Sequence, residues 1–181
     1  MKRVAVLIAS GFEDIEAVTI IDVLRRGDID VVTLGVGEKT VKSAHGLVVV
    51  CDETVEHFSG SFDGVILPGG MPGAKNIGES SNAIDLICNL NNNGKLIGAI
   101  CAAPGVVLGH LNILDNREFT CYPSFETRVP NGIFLRDNVV VSDNIVTSRG
   151  PGTALEFSFK LVEILQSKSV ADELKKRMLI S

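Results

Sequence analysis

The stretch from Lys95 to Leu108 constrains this chain more than any other. Ile97 to Ile100 is an unbroken apolar run of the kind a central parallel strand needs, because both its faces are covered. Pro104 suits the first turn of a helix, where its missing N–H costs nothing. Gly98, Ala99, Ala102 and Ala103 leave room for a sharp turn and close helix–strand packing. The pattern predicts a strand running straight into a helix with Cys101 at the corner, the layout of a nucleophile elbow. A helix N-terminus beside Cys101 favours thiolate over thiol. The same cysteine also fits a blander role as an inert core residue, since free cysteine is among the most buried residue types.

Around that stretch, strand-like and helix-like segments alternate. Arg3–Ala9 reads as a first strand, about Glu13–Arg26 as a helix closed by Gly27, and Ile29–Val36 as a second strand. Val41–Cys51, broken by His45-Gly46, reads as a pair of short strands or a hairpin, and Asp63–Leu67 as a buried strand stopped by Pro68-Gly69-Gly70. A helix over about Ser81–Asn93 leads into the corner strand. Glu118–Tyr122, Val139–Ser142 and Ile145–Ser148 follow as strands. Pro151-Gly152-Thr153 opens an amphipathic helix to about Leu165, and Ser169 with Asp172 reads as the capping box of a last helix. Such alternation predicts an α/β sandwich with a parallel sheet covered on both sides. With 181 residues, 1–181 is expected to form a single domain. In these sheets the site lies outside the carboxyl ends of the strands, which gathers Gly11, Pro68-Gly69-Gly70, Cys101 and Arg149-Gly150-Pro151 at one edge.

Charge and cysteine usage narrow the function classes. A net charge of −5 argues against a dedicated nucleic-acid groove. Cys51, Cys88, Cys101 and Cys121 show neither a CxxC pair nor metal-type spacing, and read as reduced thiols of a cytoplasmic protein. The apolar run after Lys2-Arg3 is too short for a signal peptide and is followed by Glu13, Asp14 and Glu16, and no run approaches the length of a membrane span.

A thiolate attacking a carbonyl needs a proton handler and a place for the oxyanion. His110 lies nine residues beyond Cys101, too far along one helix at ~1.5 Å per residue. His45 and His57 have no spacing that brings them to the corner; all three histidines read as surface or interface residues. Glu16 shares a helix face with Ile20 and Val23, and a carboxyl on a core-facing stripe tends to a raised pKa. Its alternative is that of Glu13 and Asp14, an acid serving the helix dipole. Gly69 and Gly70 free backbone N–H groups that, with that of Ala102, form a candidate oxyanion hole; a plain tight turn is the other reading. Neither this turn nor Ser148-Arg149-Gly150-Pro151-Gly152 matches a phosphate or dinucleotide loop in full, so no nucleotide cofactor is expected, and the cysteine spacing gives no reason to expect a metal.

With these features placed, the chain from Val4 to about Leu165 resembles the ThiJ/PfpI family, in the branch of the parkinsonism-associated protein deglycase. The resemblance rests on five ordered motifs: Ala9 to Glu16, Asp22 to Arg26, Leu67 to Gly70, Ala99 to Pro104, and Thr147 to Thr153. It implies a flavodoxin-like three-layer sandwich with a mostly parallel central sheet, and a homodimer. It implies that Cys101 is a nucleophilic, oxidation-prone cysteine with Glu16 as its protonated partner. Gly69, Gly70, Ala102, Arg149, Gly150 and Pro151 would then bind the oxyanion or substrate. It also implies cofactor-independent glyoxalase or deglycase activity on methylglyoxal, glyoxal or glycated protein adducts, with oxidative-stress protection. A peroxide-sensing role through Cys101 or a chaperone role is the alternative. Where some members carry a histidine beside a proline, this chain has Cys121-Tyr122-Pro123, and Ala102 replaces the histidine of protease-like relatives. His45 falls near a dimer-interface position where animal members place arginine.

Overall fold

The computed structural model describes residues 1–180. The first half runs β1 (Arg3–Ile8), α1 (Asp14–Arg26), β2 (Asp30–Gly35), β3 (Thr40–Lys42), β4 (Val48–Val50), β5 (Glu53–Thr54), β6 (Gly64–Leu67), α2 (Gly73–Glu79), α3 (Ser81–Asn92) and β7 (Leu96–Ile100). A π-helical segment (Pro104–Leu108), β8 (Glu118–Phe119), a 3-10 turn (Phe125–Arg128), β9 (Ile133–Phe134), β10 (Val139–Ser142) and β11 (Ile145–Ser148) follow. A second 3-10 turn (Pro151–Thr153) leads into α4 (Ala154–Leu165) and α5 (Lys168–Arg177).

Seven strands pair in the order β10-β11-β7-β6-β1-β2-β5, all parallel except the antiparallel edge strand β10. The central strands are apolar on both faces because both faces are covered. Along β1, Ala5 and Leu7 enter one core with α2, α3 and the π-helical segment, while Val4, Val6 and Ile8 enter another with α1, α4 and α5. That alternation is the period of two of an extended chain. The result is the flavodoxin-like three-layer sandwich. Two glycines set its packing: a Cβ on Gly98 would meet the Ile66 and Phe157 side chains at 2.8 and 3.2 Å, and one on Gly27 would meet both Val162 methyls at 3.0 Å.

Several sequence expectations shift. Glu118–Tyr122 is a strand only over Glu118–Phe119, and it pairs with β9 in a separate small sheet. The last helix is capped by Ser167, whose hydroxyl accepts from Val170 N–H, rather than by Ser169. Gly27 does follow α1, but at φ −85°, and the left-handed turn falls on Asp28 at φ 56°. Neither α2 nor the two-residue strands β5 and β9 had a sequence forecast. The segment after Cys101 is π-helical rather than an α-helix.

Candidate active site

Cys101 occupies the corner where β7 ends, with φ 64°. A left-handed backbone at a non-glycine residue costs ~1–3 kcal/mol and persists only where its surroundings hold it. Here the Cys101 N–H donates to Ser148 O at 3.0 Å, and the Cys101 carbonyl accepts from Tyr122 N–H at 2.9 Å. The corner is therefore pinned on both sides by chain distant in sequence, and it turns the thiol off the sheet edge.

Glu16, two residues into α1, is fully buried. One carboxyl oxygen, Oε2, accepts from Gly69 N–H at 2.8 Å, and the other, Oε1, has no hydrogen-bond partner. Gly69 must be glycine for reasons of space. A Cβ there would lie 2.5 Å from Cys101 Cβ and 2.8 Å from Glu16 Oε2. Gly70 needs its own glycine on both counts, with φ +86° and a would-be Cβ 2.5 Å from Glu13 N. The diglycine turn thus lies directly against the carboxyl and the thiol.

Burial pushes the Glu16 carboxyl up to about 7, against the Gly69 N–H and the Cys101 thiol, which pull it down. The Cys101 thiol is pushed up to about 12, by burial first and by the Glu16 carboxylate second, while the Gly70 and Ala102 N–H groups oppose the rise. This corrects the expectation of a thiol acidified by a helix N-terminus. Only two backbone N–H groups face the sulfur, and burial outweighs them. The pair behaves as one unit. With the proton on Glu16 the carboxylate's repulsion of the thiolate is gone.

The remaining predicted residues lie close by but apart from this pair. Arg149, Gly150 and Pro151 follow β11 and line, with Tyr122, Pro123 and Gly152, an open cleft of about 290 Å³. Gly150 packs on the Tyr122 ring, 3.2 Å from its would-be Cβ. Arg149 Nε and Glu126 Oε2 are buried without partners. Burial and Glu126 push the Cys121 thiol up to about 12, with Arg149 opposing, so Cys121 is held as a neutral thiol. Cys51 is likewise raised, to about 11, chiefly by burial.

None of the three histidines joins the Cys101–Glu16 pair. His45 Nδ1 lies 3.1 Å from Asp14 Oδ2 and 3.8 Å from Glu13 Oε1. Their donor atoms fall within 4.8 Å of one another, the one grouping among the described residues with the makings of a metal site. These groups already satisfy one another, since Asp14 also accepts from Ser43 Oγ at 2.6 Å. His57 bonds Thr54 Oγ1, and His110 lines a different cleft. The Tyr122 brace was invisible to local pattern, because it reaches the corner from 21 residues further along the chain.

An open, mostly parallel α/β sheet with a strained cysteine corner, backed by a buried carboxyl at the carboxyl ends of its strands, defines the class of this protein. A profile of the DJ-1/PfpI family matches residues 2–164, and the chain belongs to that family. It is 39% identical to Protein dj-1beta of Drosophila melanogaster, over 99% of this chain and 98% of that one. It is 38% identical to the glutathione-independent glyoxalase DJR-1.2 of Caenorhabditis elegans, over 93% and 91% of the two chains. Among solved structures, oxidised Toxoplasma gondii DJ-1 superposes with a TM-score of 0.97 at 36% identity, over 100% of both chains. Drosophila melanogaster DJ-1beta does so at 0.95 and 38%, over 99% and 98%.

Proposed function

We propose that this protein is a cysteine-dependent, cofactor-independent glyoxalase or deglycase acting on methylglyoxal, glyoxal or their early protein adducts. One observation carries the reading: a fully buried Glu16 carboxyl raised to about 7 beside the thiol of Cys101. Such a carboxyl gives and takes a proton near neutral pH. In the reaction, Cys101 sulfur attacks the aldehyde carbon of methylglyoxal, and the carbonyl oxygen takes a proton to give a hemithioacetal. Glu16, as its carboxylate, removes the proton from that carbon and returns it to the neighbouring carbon while the hydroxyl proton passes to the neighbouring oxygen, which leaves a thioester of the hydroxy acid. Water then cleaves the thioester, releasing lactate and restoring the thiol. The net change is addition of one water. The Gly70 and Ala102 N–H groups face the sulfur and are the donors we assign to the oxyanion. Arg149, Gly150 and Pro151 are assigned to the substrate's far side. A relative at 38% identity is a named glyoxalase, which supports the reading.

The test is lactate formation from methylglyoxal without glutathione. Wild type is expected to produce it, Cys101→Ser and Glu16→Gln to produce essentially none. Lactate from Cys101→Ser at the wild-type rate overturns the reading.

A second reading, peroxide sensing through Cys101, draws on the solved oxidised state of the Toxoplasma relative. It predicts selective oxidation of Cys101 at low peroxide in a protein that makes no lactate. We further propose that residues 1–181 act as one domain, in the cytosol, as a homodimer. The dimer reading is supported by the exposed apolar residues Ile15 and Val18 on α1 and Val48 and Val50 on β4. A monomer by sedimentation at micromolar concentration would contradict it.

A further inference from the structure

We propose that the cleft between α2 and the π-helical segment binds the anionic end, phosphate or carboxylate, of an extended substrate whose carbonyl carbon meets Cys101. The inference rests on the Cys101 reading above and names the kind of substrate that site takes.

The cleft is built by glycines. Gly105 and Gly109 let the Phe125–Arg128 turn lie against the π-helical segment: would-be Cβ atoms there fall 2.5 Å from Phe125 O and 3.0 Å from Arg128 O. Gly78 brings α2 against the other side, 3.6 Å from Val106 O. Between these walls is a cleft of about 400 Å³, lined by Met71, Lys75, Glu79, Val106, His110 and Arg128.

Its charge runs against that of the chain. The protein carries a net −5, yet this cleft gathers two permanent cations and an imidazole against one carboxylate. That carboxylate, Glu79, lies 3.7 Å from Lys75 in a pair exposed on both sides, so it neither buries nor fully neutralises the ammonium. Arg128 sits over the Phe125 ring at 5.6 Å, which holds its guanidinium while leaving N–H donors for an oxyanion.

Two of the cleft's lining residues tie it to the corner that carries the thiol. The cleft begins at Met71, next to Gly70, whose N–H faces the Cys101 sulfur. Its floor is Val106, whose N–H bonds Ala102 O at 2.9 Å. It ends at His110, nine residues beyond Cys101, which is on the order of 10 Å along a helical rise. Methylglyoxal is too short to span that distance. A modified residue followed by two more in extended chain reaches it, at roughly 3.3 Å per residue.

The test uses three capped peptides whose first residue carries a carbon-linked α-oxoaldehyde (R–CO–CHO) on its side chain, followed by glycine and X, with X glutamine, glutamate or phosphoserine. Wild type is expected to favour the charged peptides over glutamine in kcat/KM, by about threefold for glutamate and about tenfold for phosphoserine. The Lys75→Ala/Arg128→Ala double variant is expected to bring both ratios to about one. A gain for both peptides supports a general oxyanion site, and a gain for phosphoserine alone assigns it to phosphate. Ratios near one in wild type, or ratios that survive the double variant, overturn the proposal. If no peptide turns over, the Cys101 reading fails, and the cleft is read separately. Titration of inorganic phosphate into Cys101→Ser protein, followed by the NMR signal of the His110 ring, should saturate at millimolar phosphate and lose that response when Lys75 and Arg128 are also replaced. No shift in Cys101→Ser protein overturns it.

Discussion

Asp14 and Glu16 lie two residues apart at the start of one helix, yet their surroundings treat them in opposite ways. Burial acts upward on both. At Asp14 the bonds from Ser43 and His45 outweigh it, and the carboxyl falls below its ordinary value. At Glu16 a single backbone N–H and the thiol oppose a complete loss of water, and the carboxyl rises to about 7. The first carboxylate braces a turn. The second holds a proton near neutral pH. What separates them is which side of α1 each occupies, not composition or charge in the sequence around them.

The largest expected effect of breaking this contrast is at the thiol. Cys101→Ser should lower lactate formation by more than ~10³-fold, because it removes the nucleophile itself. Gly69→Ala comes next. Its methyl would displace Cys101 and Glu16 at once, and turnover should fall by at least ~10²-fold, since misplacement of about 1 Å is enough for that; wild-type turnover in this variant would contradict the packing argument.

Glu16→Gln sharpens the comparison through stability. The folded pKa of Glu16 lies above its unfolded value of 4.5, so the native state binds the extra proton between the two. Stability from this group is fully present below about 4.5 and is lost as pH rises to about 7. Wild type should therefore lose about 3 kcal/mol relative to Glu16→Gln across that window, read by urea unfolding at several pH values. Parallel curves would mean that Glu16 carries no raised pKa. Asp14→Asn is the smallest effect. It should cost about 1 kcal/mol through weakened bonds to Ser43 and His45, and its pH dependence has the opposite sign. Its contribution is present above the ordinary carboxylate range and is lost as pH falls through the lowered folded value.

Much of the architecture was legible because burial on both faces leaves a simple mark. The apolar runs of β1, β6 and β7, the strand pair β3–β4 and the strand β10 were all anticipated within a residue or two, though the antiparallel direction of β10 was not. Cys101 stood out because an apolar strand meets small residues and a proline there. Glu16 was ambiguous from spacing, since a stripe of Ile20 and Val23 does not say whether a turn from another part of the chain will cover it. Gly69 covers it, and it arrives from 53 residues away. The same limit hid the Tyr122 brace and the Asp14–His45 contact. The thiol's high pKa was missed because the helix-terminus argument counted the N–H groups and not the water lost around the sulfur. α2 was missed because Gly73 and Gly78, which make room for neighbours, look like loop residues when read alone.

The central claim is that Glu16 carries a proton near neutral pH in the folded protein. Carboxyl ¹³C NMR, with Glu16 assigned by comparison with Glu16→Gln, measures that directly. The account predicts a midpoint near 7. A midpoint at the ordinary value of 4.5 would leave Cys101 without its proton partner and contradict the account.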